Sequence, residues 1–319
     1  MGYFKAFPID SGTWYIKELL GVGSFLFLGN ERGLLLDTCN GFRDIRKTIA
    51  KLAPYLPSAP GSSLGSSPGS SPSSSPGSSP RYAPGSSLNS APHSSNELPQ
   101  NLLTVLNTHG HADHAGGNSL FKKVYIHQAD VKMTDAEWQK NQRDTLFGYA
   151  RKRYPILRPV LFWLERNRPN IYDTEIKTIE DGASFELGGR ELTVIHFPGH
   201  SPGSIILADK QTKTLYTGDA INDGLFLFFE DSPTLKEYAA RLRTLSALQG
   251  YDEIRASHSD KPLPFLFIEY YADFLERASL DKSEVTDFPN NDKTVYVYKE
   301  KGTQFGLPSI SVHFTKDSV

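Results

Sequence analysis

The chain has 319 residues, 38% of them hydrophobic and 22% charged, with a formal net charge of −2. That length admits one large domain or two ordinary ones, and the near-neutral charge excludes a global basic field of the kind that recruits nucleic acid. A single cysteine, Cys39, excludes an intramolecular disulfide and fits a reducing compartment. No run reaches the ~18 apolar residues of a membrane span, and the N-terminal stretch carries no secretory pattern. The expectation is a soluble cytoplasmic protein with a small-molecule partner and neither nucleic acid nor membrane, its oligomeric state open.

From Thr13 to Cys39 short β-rich runs alternate with turns: Trp14 to Ile16, Ser24 to Leu28, and Gly33 to Thr38. Gly-Asn-Glu-Arg-Gly at 29–33 predicts a hairpin between the last two. Phe42, Ile45, Ile49 and Leu52 recur at helical spacing. Residues 56–99 differ in kind. From Gly61 to Pro92 the sequence steps in fours, with Pro or Leu in every fourth place and without apolar periodicity. Such a tract buries too little surface to offset its ordering entropy, so it is expected to be a disordered insertion.

The apolar run Leu102 to Leu106 predicts a buried strand, and directly after it comes Thr-His-Gly-His-Ala-Asp-His-Ala-Gly-Gly-Asn at 108–118. If the extended conformation persists, His109, His111 and Asp113 share parity and point to one side. Asp113 would then cap a turn or helix beginning at His114. Imidazole nitrogens and a carboxylate are donors that a borderline-soft divalent cation such as zinc prefers.

Val124 to His127 predicts a strand and Asp130 to Trp138 a helix. Residues 141–168 are helical and basic, with arginines interleaved by Phe147, Tyr154, Phe162 and Trp163. Residues 130–170 are thus expected to form a helical insertion, a partial lid over the site. Two strands flank Gly188-Gly189, and further strands are expected at 204–208, 214–216 and 253–257. Helices are expected at 233–249 and 263–280, and terminal strands at 294–298 and 309–314. His127 and His196 read as structural. Ile221 to Phe229 reads equally as an acyl-pocket wall and as core.

His109 to His114 match H-x-H-x-D-H, the signature of the metallo-β-lactamase superfamily, which the chain resembles. The Gly199-His200-Ser201-Pro202-Gly203 loop, Thr217-Gly218-Asp219 and Ser257-His258-Ser259 follow in that family's order. The resemblance covers essentially the whole chain apart from the insertion, and implies a single α/β (α+β) domain over 1–319, a four-layer αβ/βα sandwich with its metals between two sheet edges. It implies one metal at His109, His111 and His200, a second at Asp113, His114 and His258, and Asp219 bridging both. Asp37, ending its strand as Asp113 and Asp219 do, would lie close by and orient a ligand histidine, though a plain strand-end turn reads as well.

The resemblance further implies a binuclear hydrolase of a small ester, thioester, lactone or phosphoester. Two divalent cations, zinc by the donor set with iron or manganese as substitutes, would supply the hydroxide, and Asp113 would orient it and relay its proton. No other cofactor is implied. A secreted antibiotic-hydrolysing member would carry a cysteine where Asp219 stands. The chain is similar to glyoxalase II through T-H-x-H-x-D-H-A-G-G-N, which makes glutathione-thioester hydrolysis one alternative. An iron-dependent redox or dioxygenase-type member is another, and a non-catalytic metal scaffold a third.

Overall fold

The computed structural model describes residues 2–52, 101–286, 293–302, 304–307 and 309–319. The insertion expected at 56–99 lies outside them.

Two large sheets face each other. The first runs in order β1 (Phe4–Pro8), β2 (Thr13–Glu18), β3 (Gly23–Leu28), β4 (Gly33–Leu36), β5 (Leu103–Leu106), β6 (Lys123–His127) and β7 (Glu175–Ile179). Strands β1 to β4 form an antiparallel meander, and β4 to β7 pair in parallel. The second sheet contains β8 (Ser184–Glu186), β9 (Glu191–His196), β10 (Ile205–Asp209), β11 (Thr214–Gly218), β13 (Glu253–Ala256) and β14 (Leu263–Pro264). A smaller sheet joins β12 (Gly224–Leu227), β17 (Ser309–Thr315), β16 (Val295–Lys301) and β15 (Glu284–Thr286).

Strand periodicity explains the layering. In β3, Gly-Ser-Phe-Leu-Phe-Leu is buried throughout because both faces are covered. Its Phe25 and Phe27 turn inward, meeting Val194, Leu207 and Tyr216 of the second sheet, while Leu26 and Leu28 turn outward. Outside, Leu26, Leu35 and Val105 pack against Ile45 and Ile49, the latter on α1 (Arg46–Leu52). On the far side Ile206, Leu215 and Ile254 pack against Tyr238 and Leu242 of α5 (Leu235–Ser246) and Tyr271 and Phe274 of α6 (Phe267–Arg277). The order is helix, sheet, sheet, helix: the expected four-layer αβ/βα sandwich.

Four local expectations change. Strand β1 was not foreseen. The helix placed over Asp130 to Trp138 divides into a 3₁₀ stretch, Gln128–Thr134, and α3 (Ala136–Arg153). The helix expected from Leu263 starts at Phe267, because Pro262 and Pro264 lack the amide hydrogens a helix needs and restrict the residues before them. After β5 the chain bends at Thr108 and His109, and His111 takes the N-cap position (φ −65°, ψ 151°) of α2 (Ala112–Ala115). Asp113 therefore lies inside that short helix and does not cap it. The shared parity of three donors is replaced by a bend and a short helical segment.

Candidate metal centre

Strands β4 and β5 run in the same direction, as do β9, β11 and β13, since β10 is antiparallel to both β9 and β11. Their carboxyl ends meet at one seam. There β4 delivers Asp37, β5 delivers His109 to His114, β9 leads to His200, β11 to Asp219 and β13 to His258. Backbone hydrogen bonds cross the seam beside the donors, Ile205 N to Thr108 O at 2.9 Å and Gly23 N to Ser257 O at 2.8 Å.

The seven residues form two groups. His109, His111 and His200 each offer a nitrogen within 4.8 Å of the others, and Asp113, His114, Asp219 and His258 each offer a donor atom within the same span. His111 Nδ1 and His200 Nε2 stand 2.8 Å apart. Asp219 reaches both groups: its Oδ1 is 3.4 Å from His114 Nε2, and its Oδ2 is 3.3 Å from His258 Nε2 and 3.7 Å from His200 Nε2. Asp113 Oδ2 lies 3.4 Å from His258 Nε2 and 3.6 Å from His114 Nε2.

Polar groups behind the imidazoles set their orientation. Asp37 Oδ2 holds His114 Nδ1 at 2.8 Å, which puts the proton on Nδ1 and turns the Nε2 lone pair inward. Asp37 is fully buried, adopts φ +67°, and also accepts from Thr108 N at 2.7 Å and Thr108 Oγ1 at 2.9 Å. Thr108 Oγ1 in turn lies 3.0 Å from His109 Nδ1, and the Phe226 carbonyl lies 3.3 Å from His200 Nδ1. Three inward-facing atoms, His109 Nε2, His114 Nε2 and Asp219 Oδ1, are buried without a hydrogen-bond partner among the described residues. Buried polar atoms are rarely left so. A divalent cation in each donor group would satisfy them, and the N and O donor set suits zinc-type ions.

The charges support the same fit. Burial, reinforced by neighbouring histidines, pushes His109 well below its ordinary range and His111 down to about 3, and burial lowers His200 as well. These rings are neutral, with lone pairs to donate. In the second group burial opposes charge, but Asp219 and Asp113 overcome it, raising His114 well above its usual value and His258 to about 10. Asp113 and Asp219 are held low, against their burial, by His114 and His258. Protons balance the carboxylates there, and a cation displaces them on binding.

A residue outside every motif clips the donor loops together. Asp130 is fully buried. It accepts from Gly110 N at 2.9 Å, Ser201 Oγ at 2.6 Å and Gly203 N at 2.6 Å, joining the loop between His109 and His111 to the loop bearing His200. Asp130→Ala strands two buried amides, Gly110 and Gly203, and leaves the Ser201 hydroxyl only Ser204 Oγ; at ~1–3 kcal/mol for an unsatisfied group it is expected to lower the thermal midpoint by about 10 °C. A melt by circular dichroism tests this; an unchanged midpoint would show that the clip carries no strain.

The surrounding walls are aromatic. Trp138 of α3 lies parallel to His111, 6.1 Å between ring centres, and Phe229 approaches His111 at 5.0 Å and His200 at 5.8 Å. Within Ile221 to Phe229, Ile221, Leu225 and Leu227 enter the core, whereas Phe229 faces the site. His127 and His196 stack on each other at 3.8 Å, outside both donor groups. Arginines of the basic stretch have structural partners: Arg151 pairs with Glu165 at 2.7 Å, and Arg168 donates to the Gly116 carbonyl at 2.5 Å.

Residues 75–258 match the family model described as the metallo-beta-lactamase superfamily. The chain is 30% identical over 261 residues to an acyl-coenzyme A thioesterase, MBLAC2, of Gallus gallus, covering 77% of this chain and 76% of that one. The matches to the bovine and human proteins of that name span 51% of each. Hydroxyacylglutathione hydrolase GloC of Haemophilus influenzae is 28% identical over 128 residues, 40% of this chain and 54% of that protein. Among solved structures, a metallo-beta-lactamase from Pontibacter korlensis superposes with a TM-score of 0.50 at 14% identity, covering 86% of this chain and all of that one. By its matched residues, and with a fold and donor order that agree, the chain belongs to the metallo-β-lactamase superfamily.

Proposed function

We propose that this protein is a binuclear metal-dependent hydrolase of acyl thioesters, with acyl-coenzyme A as the substrate class. The observation that carries the metal reading is the set of three buried, unpartnered donor atoms at the meeting point of two ligand groups. The thioester follows from the relatives, and coenzyme A is preferred to glutathione because that match covers 77% of the chain against 40%.

His109, His111 and His200 would hold one ion, and Asp113, His114 and His258 the other, with Asp219 shared. Two divalent cations held there, zinc by this donor set, would supply Lewis acidity and a water nucleophile at neutral pH. Asp113 is a quarter exposed to the cleft. It is placed to hold the proton that attacking water gives up and to return it to the leaving thiolate. Asp37 fixes the His114 ring so that its Nε2 stays aimed inward. Phe229 and Trp138 line the entrance, exclude water and offer an apolar seat for the acyl chain; the start of α3 is the lid element.

The test is elemental analysis of natively purified protein with turnover of an acyl-coenzyme A and of a glutathione thioester. The expected result is about two divalent metals per chain, chelator-sensitive hydrolysis, and preference for the coenzyme A ester. A single firmly bound metal overturns the binuclear reading, and two irons with oxygen-dependent turnover overturn the hydrolase.

A further inference from the structure

The helix α4 (Arg158–Arg166) is apolar on two sides. Its inward side, Leu161 and Leu164, packs with Phe42 and Phe147. Its outward side packs against no apolar cluster among the described residues: Phe162 is 61% exposed, Val160 51%, and Ile156 in the preceding turn 88%, while Trp163, 53% exposed, has the Arg43 guanidinium 4.2 Å over its ring. At 100° per residue Phe162 and Trp163 flank Arg166 on the outer face, opposite Leu161 and Leu164. Four large apolar side chains displayed within eight residues form a patch of the kind that marks an interaction site.

The charge around the patch selects what covers it. Between residues 145 and 172 the chain carries six arginines and lysines (Arg151, Lys152, Arg153, Arg158, Arg166 and Arg168) against one acid, Glu165. That acid is already engaged by Arg151. Lys152, Arg158 and Arg166 are exposed beside the apolar side chains. A second copy of this face would bring two positive rims together, which like-charge repulsion opposes. An anionic bilayer offers both terms at once: headgroup phosphates and carboxylates for the rim, and the acyl boundary for Phe162, Trp163 and Ile156. We propose that this α4 face is a peripheral docking surface for membranes rich in anionic lipid. No helix among the described residues is long and apolar enough to cross a membrane, and such a surface needs none, since it requires only a few inserted side chains.

The surface is separate from the donor groups. Trp138, Gln139 and Gln142, which touch the donor loops, lie in the first two turns of α3, whereas the patch follows that helix's last turn; Arg168, beyond α4, is held at the Gly116 carbonyl and is not part of the exposed rim. Docking therefore leaves the chemistry intact.

The experiment is co-sedimentation of the metal-loaded full chain with large unilamellar vesicles, either phosphatidylcholine alone or phosphatidylcholine with phosphatidylserine. At roughly 1 kcal/mol for each basic residue near an anionic surface, the serine-containing vesicles are expected to bind at least about tenfold more tightly, with loss at high salt. Ile156→Ser combined with Phe162→Ser should lower that binding at least about tenfold, as should Arg158→Glu combined with Arg166→Glu. Both variants should keep wild-type metal content and turnover of a short, water-soluble acyl-coenzyme A, which separates this proposal from the fate of the thioesterase reading. Absence of vesicle binding, equal binding to neutral vesicles, or dimerisation on this face in their absence would each overturn it. So would capture of an acidic protein partner without lipid binding.

Discussion

Asp219→Asn is expected to fold normally yet to hold about one metal fewer per chain and to lose at least about 100-fold in thioester kcat/KM. The carboxylate is nearly buried and faces three imidazole nitrogens at 3.3 to 3.7 Å, with Oδ1 toward one group and Oδ2 toward both. An amide keeps the volume but turns one of these positions into an NH₂ donor. Whichever way it is flipped, a group that must present a lone pair then faces a hydrogen. On the proposed binuclear reading, the change also removes the negative charge that would offset the repulsion of two like-charged cations. Elemental analysis and turnover, measured together, decide the matter, and wild-type values for both would show that Asp219 is not shared.

At Asp37 the alanine and asparagine variants are expected to part company. Alanine leaves the His114 Nδ1 proton and the Thr108 amide buried without an acceptor, at ~1–3 kcal/mol each. It also places a residue with no polar side chain at φ +67°, where Asn and Asp are tolerated. The thermal midpoint should fall by about 10 °C. Asparagine keeps the backbone conformation and one acceptor oxygen but sets its NH₂ against either the Thr108 amide or the His114 Nδ1 proton, so its midpoint should fall by less than that of alanine. It is a weaker partner for the His114 ring, and metal affinity should drop about 10- to 100-fold. Calorimetry with a metal titration reads both quantities. Identical behaviour of the two variants would mean that Asp37 is a turn residue and nothing more.

Much of the site is legible in the sequence because four of its donors lie within six positions behind a strand, and the others end strands of their own. Adjacent donors carry a local signature. Asp130 carries none: its role arises only when Gly110, twenty residues before it, and Ser201 and Gly203, more than seventy residues after it, are brought to its side. Trp138 is invisible for the same reason, since nothing in its neighbourhood announces His111. The missed strand β1 ends in a proline and alternates between partial and full exposure, so its apolar signal is weak; its pairing with β2 supplies the order. The smaller sheet joins β12 in parallel to β17, more than eighty residues later, a pairing that no local periodicity reports. Where sequence reading began a helix at His114 with Asp113 as its cap, the structure begins it two residues earlier, at Ala112, about half a turn. That shift decides which face each donor occupies.

The pairing of β4 with β5 in parallel register, Gly33 opposite Leu103, has a consequence for how this lineage can vary. Parallel neighbours must be joined by a return crossover, and the crossover re-enters β5 at Leu103, whereas the donors leave from its other end. At ~3.3 Å per residue the three steps from Leu103 to Leu106 already separate the two ends of β5 by about 10 Å. Lengthening the crossover costs only ~0.6 kcal/mol per doubling, and it acts at the end of the strand that holds no chemistry. Repeats can therefore accumulate between residues 52 and 101 as genetic drift supplies them, while selection on the donors is applied at the opposite end of the strand.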